Sequence, residues 1–198
     1  MANDSLLAYV FWHWPQPSAD RIAYESAQQA FHRALTESPS AGFVRSFSHA
    51  LAGAPWANQG AESYEDWYLV HDGAALDPLE EAAVTAGRKA PHDVAAALAA
   101  NGTAGLYRLK LGTAPTAPRS AQWFSKPAGL SYGQLFASVE PALASVGGSL
   151  WMRKMTLGPA TEFCILSREP ATLAPNLQMF AFQLRPVWAG AAAEPATR

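Results

Sequence analysis

Apolar and polar positions alternate along this chain in blocks that change period. Leu6-Leu7-Ala8-Tyr9-Val10-Phe11-Trp12-His13-Trp14 is continuously apolar and aromatic and stops at Pro15, which predicts a buried strand closed by a turn. Ser18 is positioned to cap a following helix, with Asp20 in its first turn. Tyr24, Ala27, Phe31, Ala34 and Leu35 form one stripe at helical spacing. Ser38-Pro39-Ser40-Ala41-Gly42 ends that helix near Thr36. Phe43 to Leu51 alternates as a strand with Phe43, Arg45, Phe47 and His49 on one face. After a loop from Gly53 to Ser63 containing Trp56, Tyr64 to His71 reads as a third strand. Asp77-Pro78-Leu79-Glu80 has the form of a capping box with proline at the first turn, Gly87 being placed to end that helix. Pro91 to Ala100 predicts an alanine-rich helix stopped by Asn101-Gly102, and Leu106 to Leu111 alternates as a fourth strand.

Thr113 to Pro118 has the composition of an extended linker, and after it the order repeats. Ala121 to Ser125 is a short aromatic strand before Pro127. Ser131-Tyr132-Gly133-Gln134 is another capping box, leading a stripe of Leu135, Val139, Ala142 and Leu143. Pro141 should kink or break that helix, and Gly147-Gly148 ends it. Leu150 to Leu157 and Thr161 to Leu166 predict strands around Gly158-Pro159. Pro170 to Leu173 leaves room for a turn of helix, and Met179 to Arg185 is a last strand. Each half therefore reads strand, helix, strand, strand, helix, strand. The predicted class is α+β, with two βαββαβ (ferredoxin-like) repeats at 1–112 and 121–188, a linker at 113–120 and a flexible tail at 189–198.

This element order, twice in one chain, resembles the dimeric α+β barrel superfamily, in which ferredoxin-like units pack their sheets into a barrel with helices outside. The resemblance rests on element order over about residues 5 to 188. It implies a pseudo-dimer made by one chain. It also implies a choice among the superfamily's members: cofactor-independent monooxygenases, small-molecule isomerases, haem enzymes of the chlorite dismutase and dye-decolorising peroxidase types, and stress-responsive proteins without assigned chemistry.

Such a barrel fixes which residues matter. Period-two alternation groups Tyr9, Phe11 and His13, then Arg45, Phe47 and His49, then Trp67, Leu69 and His71. These ring-bearing faces are expected to line the barrel, because the other side of the first strand (Leu6, Ala8, Val10) is more aliphatic. Rings with a few polar tips suit a small, apolar or aromatic ligand. The candidate base is His13, His49 or His71. Tyr9, Phe11, Arg45 and Trp67 are expected to touch the ligand. Arg153, sharing a face with Trp151 and Met155, suits an anion, against the plainer reading of a solvent-facing charge.

Composition removes other classes. Charged residues are 15% of 198, and the formal charge is -2, which gives no field for nucleic acid. The apolar run at the start is far shorter than the roughly 20 residues that cross a bilayer. With no convincing leader, the expected compartment is the cytoplasm. The five histidines have no metal-ligand spacing, and no phosphate loop or nucleophile elbow occurs. Hence no metal and no cofactor is expected, a haem on one histidine being the weaker alternative. Asp72 beside His71 reads as a turn residue. His32 and His92 read as solvated helix positions, the single Cys164 as an inert buried thiol, and Trp56 as a lid or subunit contact. The leading expectation is a binding barrel, with cofactor-free oxygenation or isomerisation as its chemistry. The alternative is a non-catalytic binding or assembly protein with a filled barrel. Exposed strand edges favour self-association as a homo-oligomer.

Overall fold

The computed structural model describes residues 6–154, 160–174 and 177–190. Among these residues nine strands form one antiparallel sheet: β1 (Leu7–Pro15), β2 (Phe43–Leu51), β3 (Ser63–Val70), β4 (Ala99–Gly112), β5 (Ser120–Phe124), β6 (Ser149–Arg153), β7 (Phe163–Ser167), β8 (Met179–Gln183) and β9 (Arg185–Ala189). Their order is β8-β5-β7-β6-β4-β1-β3-β2-β9. The two outermost strands are consecutive in the chain, separated by Leu184 alone. β8 pairs with β5 and β9 pairs with β2, so the ends of the sheet are brought together and the barrel is nearly closed. Closure removes the edges that an open sheet would expose.

Four helices lie outside: α1 (Arg21–Glu37), α2 (Leu76–Ala83), α3 (Ala86–Leu98) and α4 (Tyr132–Val146). The first, second and third cover the β1–β4 half, and α4 covers the other. Local chemistry explains the helix ends. Asp20, not Ser18, caps α1 by accepting the Ala23 amide. The Ser131–Gln134 capping box forms as expected, and Gly147 closes α4 in the left-handed conformation. The Asp77–Glu80 box does not form, because α2 already begins at Leu76. Asp72 caps the preceding 3-10 turn instead, accepting from the Ala74 amide. Pro141 does not break α4. It is exposed, so the carbonyl it leaves unbonded faces water.

Asn101-Gly102 is not a helix stop. It lies inside β4, where Gly102 is the cross-strand partner of His13, and a methyl there would overlap the Phe11 ring. The glycine records a close approach of a neighbouring ring. A bulge between Phe43 and Arg45 also breaks the expected alternation of β2. Phe43 packs outward with α1 and α2, while Phe47 packs inward. Met155, the end of the predicted Leu150–Leu157 strand, Gly158-Pro159 and the tail from 191 lie outside the described residues.

The barrel interior is packed with rings. Ala8, Val10 and Trp12 from β1 meet Trp67, Tyr107, Trp123 and Trp151, all fully buried. The rings pack edge to face, with centroids 5.4 Å apart for Trp12–Trp123 and 5.3 Å for Trp67–Trp151. Trp56 is neither a lid over a cavity nor an outward patch. Its loop folds over the barrel, and its ring packs against Trp12, Trp123 and Phe182.

Candidate functional site

The open space lies on the other side of the sheet. A cavity of about 860 Å³ sits between the outer face of β1, β3 and β4 and the three helices of that half. Its walls are rings and aliphatic side chains, among them Tyr9, Phe11, Phe31, Tyr68, Leu79 and Leu106. The sequence makes this surface by period-two alternation on strands that carry apolar residues on both faces. One face fills the barrel and the other meets the helices.

The polar floor of the cavity is centred on Asp66, of which 1% is exposed. Its Oδ2 lies 3.0 Å from His13 Nε2 and 3.2 Å from His32 Nε2, and the Tyr68 hydroxyl donates to it at 2.9 Å. The Tyr24 hydroxyl sits 2.5 Å from His13 Nδ1, and Ser46 Oγ sits 2.8 Å from His32 Nδ1. Each imidazole is held by a hydrogen-bond partner at Nδ1, while its Nε2 lies close to the carboxylate without hydrogen-bond geometry. Burial pushes the Asp66 carboxyl up, but the two imidazoles facing it outweigh burial and hold it well below the ordinary carboxylate range. Asp66 is therefore ionised. Its second oxygen, Oδ1, is buried and accepts no hydrogen bond from the protein. Burial and the charge of Asp66 push the Tyr68 hydroxyl well above its ordinary value. At the rim, burial and then the charge of Glu80 raise Tyr9.

No family model matches the chain, and no curated protein matches it. Solved structures do. A candidate monooxygenase from Fusobacterium nucleatum subsp. nucleatum ATCC 25586 superposes with a TM-score of 0.62 at 9% identity, over 98% of this chain and 100% of that one. A candidate monooxygenase from Lactobacillus acidophilus NCFM gives 0.60 at 9% identity, over 93% and 95%. The chain shares the fold of these structures, a mixed α+β fold with a large, nearly closed antiparallel sheet. At this identity the likeness is one of fold. No helix among the described residues is long and apolar enough to cross a membrane.

The α+β barrel distributes the expected site residues unevenly. Tyr9, Phe11 and His13 do not line the barrel. They face the helices and meet at the cavity, Phe11 stacking on His13 with centroids 5.2 Å apart. Trp67 and Phe47 do face inward, as neighbours in the packed core. His49 is buried, and burial pushes its imidazole down to about 4. His71 is exposed just beyond β3. His13, His49 and His71 therefore do not converge. Arg45 is buried and donates to the Ala114 and Pro115 carbonyls, which ties β2 to the segment before β5. Arg153 is half-buried and donates to the Ala160 carbonyl at 2.8 Å.

Three groups that matter were not anticipated. Asp66 and Glu65 stand side by side in a strand of which every residue is buried. Two adjacent acids in such a strand require partners on both faces, a readable signal. His32 is fully buried, not solvated; it follows Gln28 by one helical turn on the inner stripe of α1. Glu65 points into the barrel, where Trp12 Nε1 and Trp67 Nε1 each donate to it at 2.6 Å.

Proposed function

We propose that this α+β barrel binds a small, largely apolar organic molecule with an aromatic ring system, in the cavity between the sheet and α1–α3. One observation carries the reading: a ring-walled space of about 860 Å³ whose polar floor is a buried carboxylate with one unbonded oxygen. Small-molecule sites have this make-up, apolar walls with few and fixed polar groups. The packed tryptophans leave the barrel interior to structure, so the filled barrel and a ligand site coexist on opposite faces of one sheet. Ala83 lines the cavity on α2 and is half-buried. Replacing it with tryptophan should block fluorescence-detected binding of bicyclic aromatic compounds and leave the melting temperature within a few degrees. Unchanged binding in Ala83→Trp would place the ligand elsewhere.

A second reading, cofactor-independent oxygenation or isomerisation of the bound molecule, is favoured by the string Tyr24–His13–Asp66–His32–Ser46. Each member touches the next, so a proton leaving the ligand has a route into the protein. His13→Gln should abolish turnover while binding persists; turnover retained in that variant removes this reading. The strand orders β4-β1-β3-β2 and β8-β5-β7-β6 support a further element of the proposal, that the chain is two ferredoxin-like repeats acting as a pseudo-dimer. Each order places the fourth, first, third and second strand of its half in turn.

A further inference from the structure

We infer that His32, Tyr24 and Ser46 are positioning residues of the helix-side site: they hold His13 and Asp66 in the cavity floor, and the five form a unit that the fold itself does not need. The inference rests on reading that cavity as a ligand site and the chain as two repeats. The second repeat supplies an internal comparison. Trp12 and Trp123 are the inward tryptophans of β1 and β5 and pack against each other. Asp20 and Ser131 cap α1 and α4, each accepting the amide three residues on. Both matches carry the same displacement along the chain, so they set the two strand–helix units in one register. In that register Tyr24, Gln28 and His32, the fourth, eighth and twelfth residues after the α1 cap, correspond to Leu135, Val139 and Leu143 of α4. His13 corresponds to Phe124. Trp12 lies opposite Glu65 and Trp123 opposite Cys164, which matches Asp66 to Ile165.

Every one of these counterparts is apolar and buried, and together they pack α4 on the second half of the sheet. The same strand–helix packing is thus built from leucine, valine, phenylalanine and isoleucine where the first half places a carboxylate, two imidazoles and a phenol. Buried polar groups are costly unless each is hydrogen-bonded. Here His13 Nε2, His32 Nε2 and Asp66 Oδ1 are buried without a hydrogen-bond partner. A cluster kept to hold α1 on β3 would close its own hydrogen bonds. Exchanging such a cluster for packed apolar side chains commonly leaves stability level or raises it. What the cluster does have is contiguity with the cavity. His13 and Asp66 line it, and His32 reaches the same Oδ2 from α1 at 3.2 Å. Ser46 Oγ lies 2.8 Å from His32 Nδ1, and the Tyr24 hydroxyl holds Nδ1 of His13. His49 is also buried, but it packs against Phe47 and serves as a control.

The test follows the histidine ring nitrogens of the full chain by heteronuclear NMR while 2-naphthylmethanol is added. The signals of His13 and His32 should move together, because the two rings share one carboxylate oxygen, while those of His49 and His71 stay in place. A shift confined to His13, or no shift with a probe that calorimetry shows to bind, overturns the inference and leaves the cavity standing. Absence of binding removes the cavity reading and the inference with it. A second arm gives the first half the apolar set of the second: His13→Phe, Tyr24→Leu, His32→Leu and Asp66→Ile, with Tyr68→Phe to remove the hydroxyl that donates to Asp66. This chain should melt within about 5 °C of wild type or above it. Asp66→Asn keeps the shape of the carboxyl and covers the case in which the exchanged side chains do not fit. It too should melt within about 5 °C of wild type at pH 8, where imidazoles without a carboxylate partner are neutral. A fall of more than about 5 °C in both variants makes the cluster part of the framework and overturns the inference.

Discussion

Replacing Glu65 by glutamine should remove a pH dependence of stability that the packed barrel imposes. The Glu65 carboxylate is fully buried among tryptophans and, among the described residues, accepts from the two neutral indole donors of Trp12 and Trp67. Burial pushes its carboxyl up, the indoles draw it partly back, and the neighbouring charge of Asp66 adds to the rise, leaving it at about 7 against an ordinary 4.5. Between those values the folded chain holds a proton that the unfolded chain has lost. Stability from this group is complete below about pH 4.5 and is lost as pH rises to about 7. A displacement of about 2.5 pH units, at about 1.4 kcal/mol each, amounts to about 3 kcal/mol. His49 works in the opposite direction. Burial holds it neutral down to about 4, so stability from that group rises with pH up to its ordinary 6.5. The two slopes oppose each other in the wild-type chain, and only a difference isolates Glu65. Urea unfolding followed by tryptophan emission, at intervals from pH 4.5 to 8, supplies it. The stability of wild type minus that of Glu65→Gln should fall by about 3 kcal/mol across this range and level off above about pH 7. Glutamine can accept from one indole and faces the other with its own amide, but that penalty is a constant offset. A difference that stays flat would refute the reasoning, because it would mean that water or a cation reaches Glu65 and the barrel is not dry.

Gly102→Ala should push the Phe11 ring into the cavity, since the new methyl overlaps that ring, and lower the affinity for aromatic probes severalfold with a modest loss of stability; calorimetric titration of the variant checks it. Ser131→Ala removes the side-chain acceptor of the α4 capping box and should cost about 1 kcal/mol by urea unfolding, leaving ligand affinity unchanged because α4 covers the half without the cavity. Burial is the largest single influence on Glu25 and raises it, but Arg185, Arg21 and the Tyr64 hydroxyl together outweigh it and hold the carboxyl down at about 2. Its contribution should therefore be present above about pH 4.5 and fade as pH falls toward 2. Glu25→Gln should flatten that acid limb and speed amide exchange in β9, which Arg185 ties to α1.

Elements with strong punctuation were legible in the sequence. Pro15 ends β1, the Ser131–Gln134 box opens α4, and Gly147 closes it, because each depends on chemistry within a few residues. What failed depended on distant neighbours. Gly102 looks like a helix stop until Phe11 is laid across it, and the first residue of β2 leaves its expected face because of a bulge that no alternation announces. The choice of face for β1 was the decisive error. Both faces of that strand carry rings, so periodicity grouped Tyr9, Phe11 and His13 correctly but could not say that Ala8, Val10 and Trp12 are the set turned into the barrel. β9 was unreadable for a related reason: Met179 to Arg185 reads as one strand, while the chain passes from one end of the sheet to the other at Leu184. His32 reads as a solvated helix position and Asp66 carries no local signal beyond its place beside Glu65 in the third strand. Their partners lie 34 residues apart in the chain and meet only once α1 docks on β3.

The central claim is that the ligand sits on the helix side of the sheet and the barrel is closed to it. A crystal structure with 2-naphthylmethanol bound tests this most directly. Ring density between Phe11 and α3, with the hydroxyl at Asp66, is the predicted result; density among Trp12, Trp67 and Trp123 would contradict it.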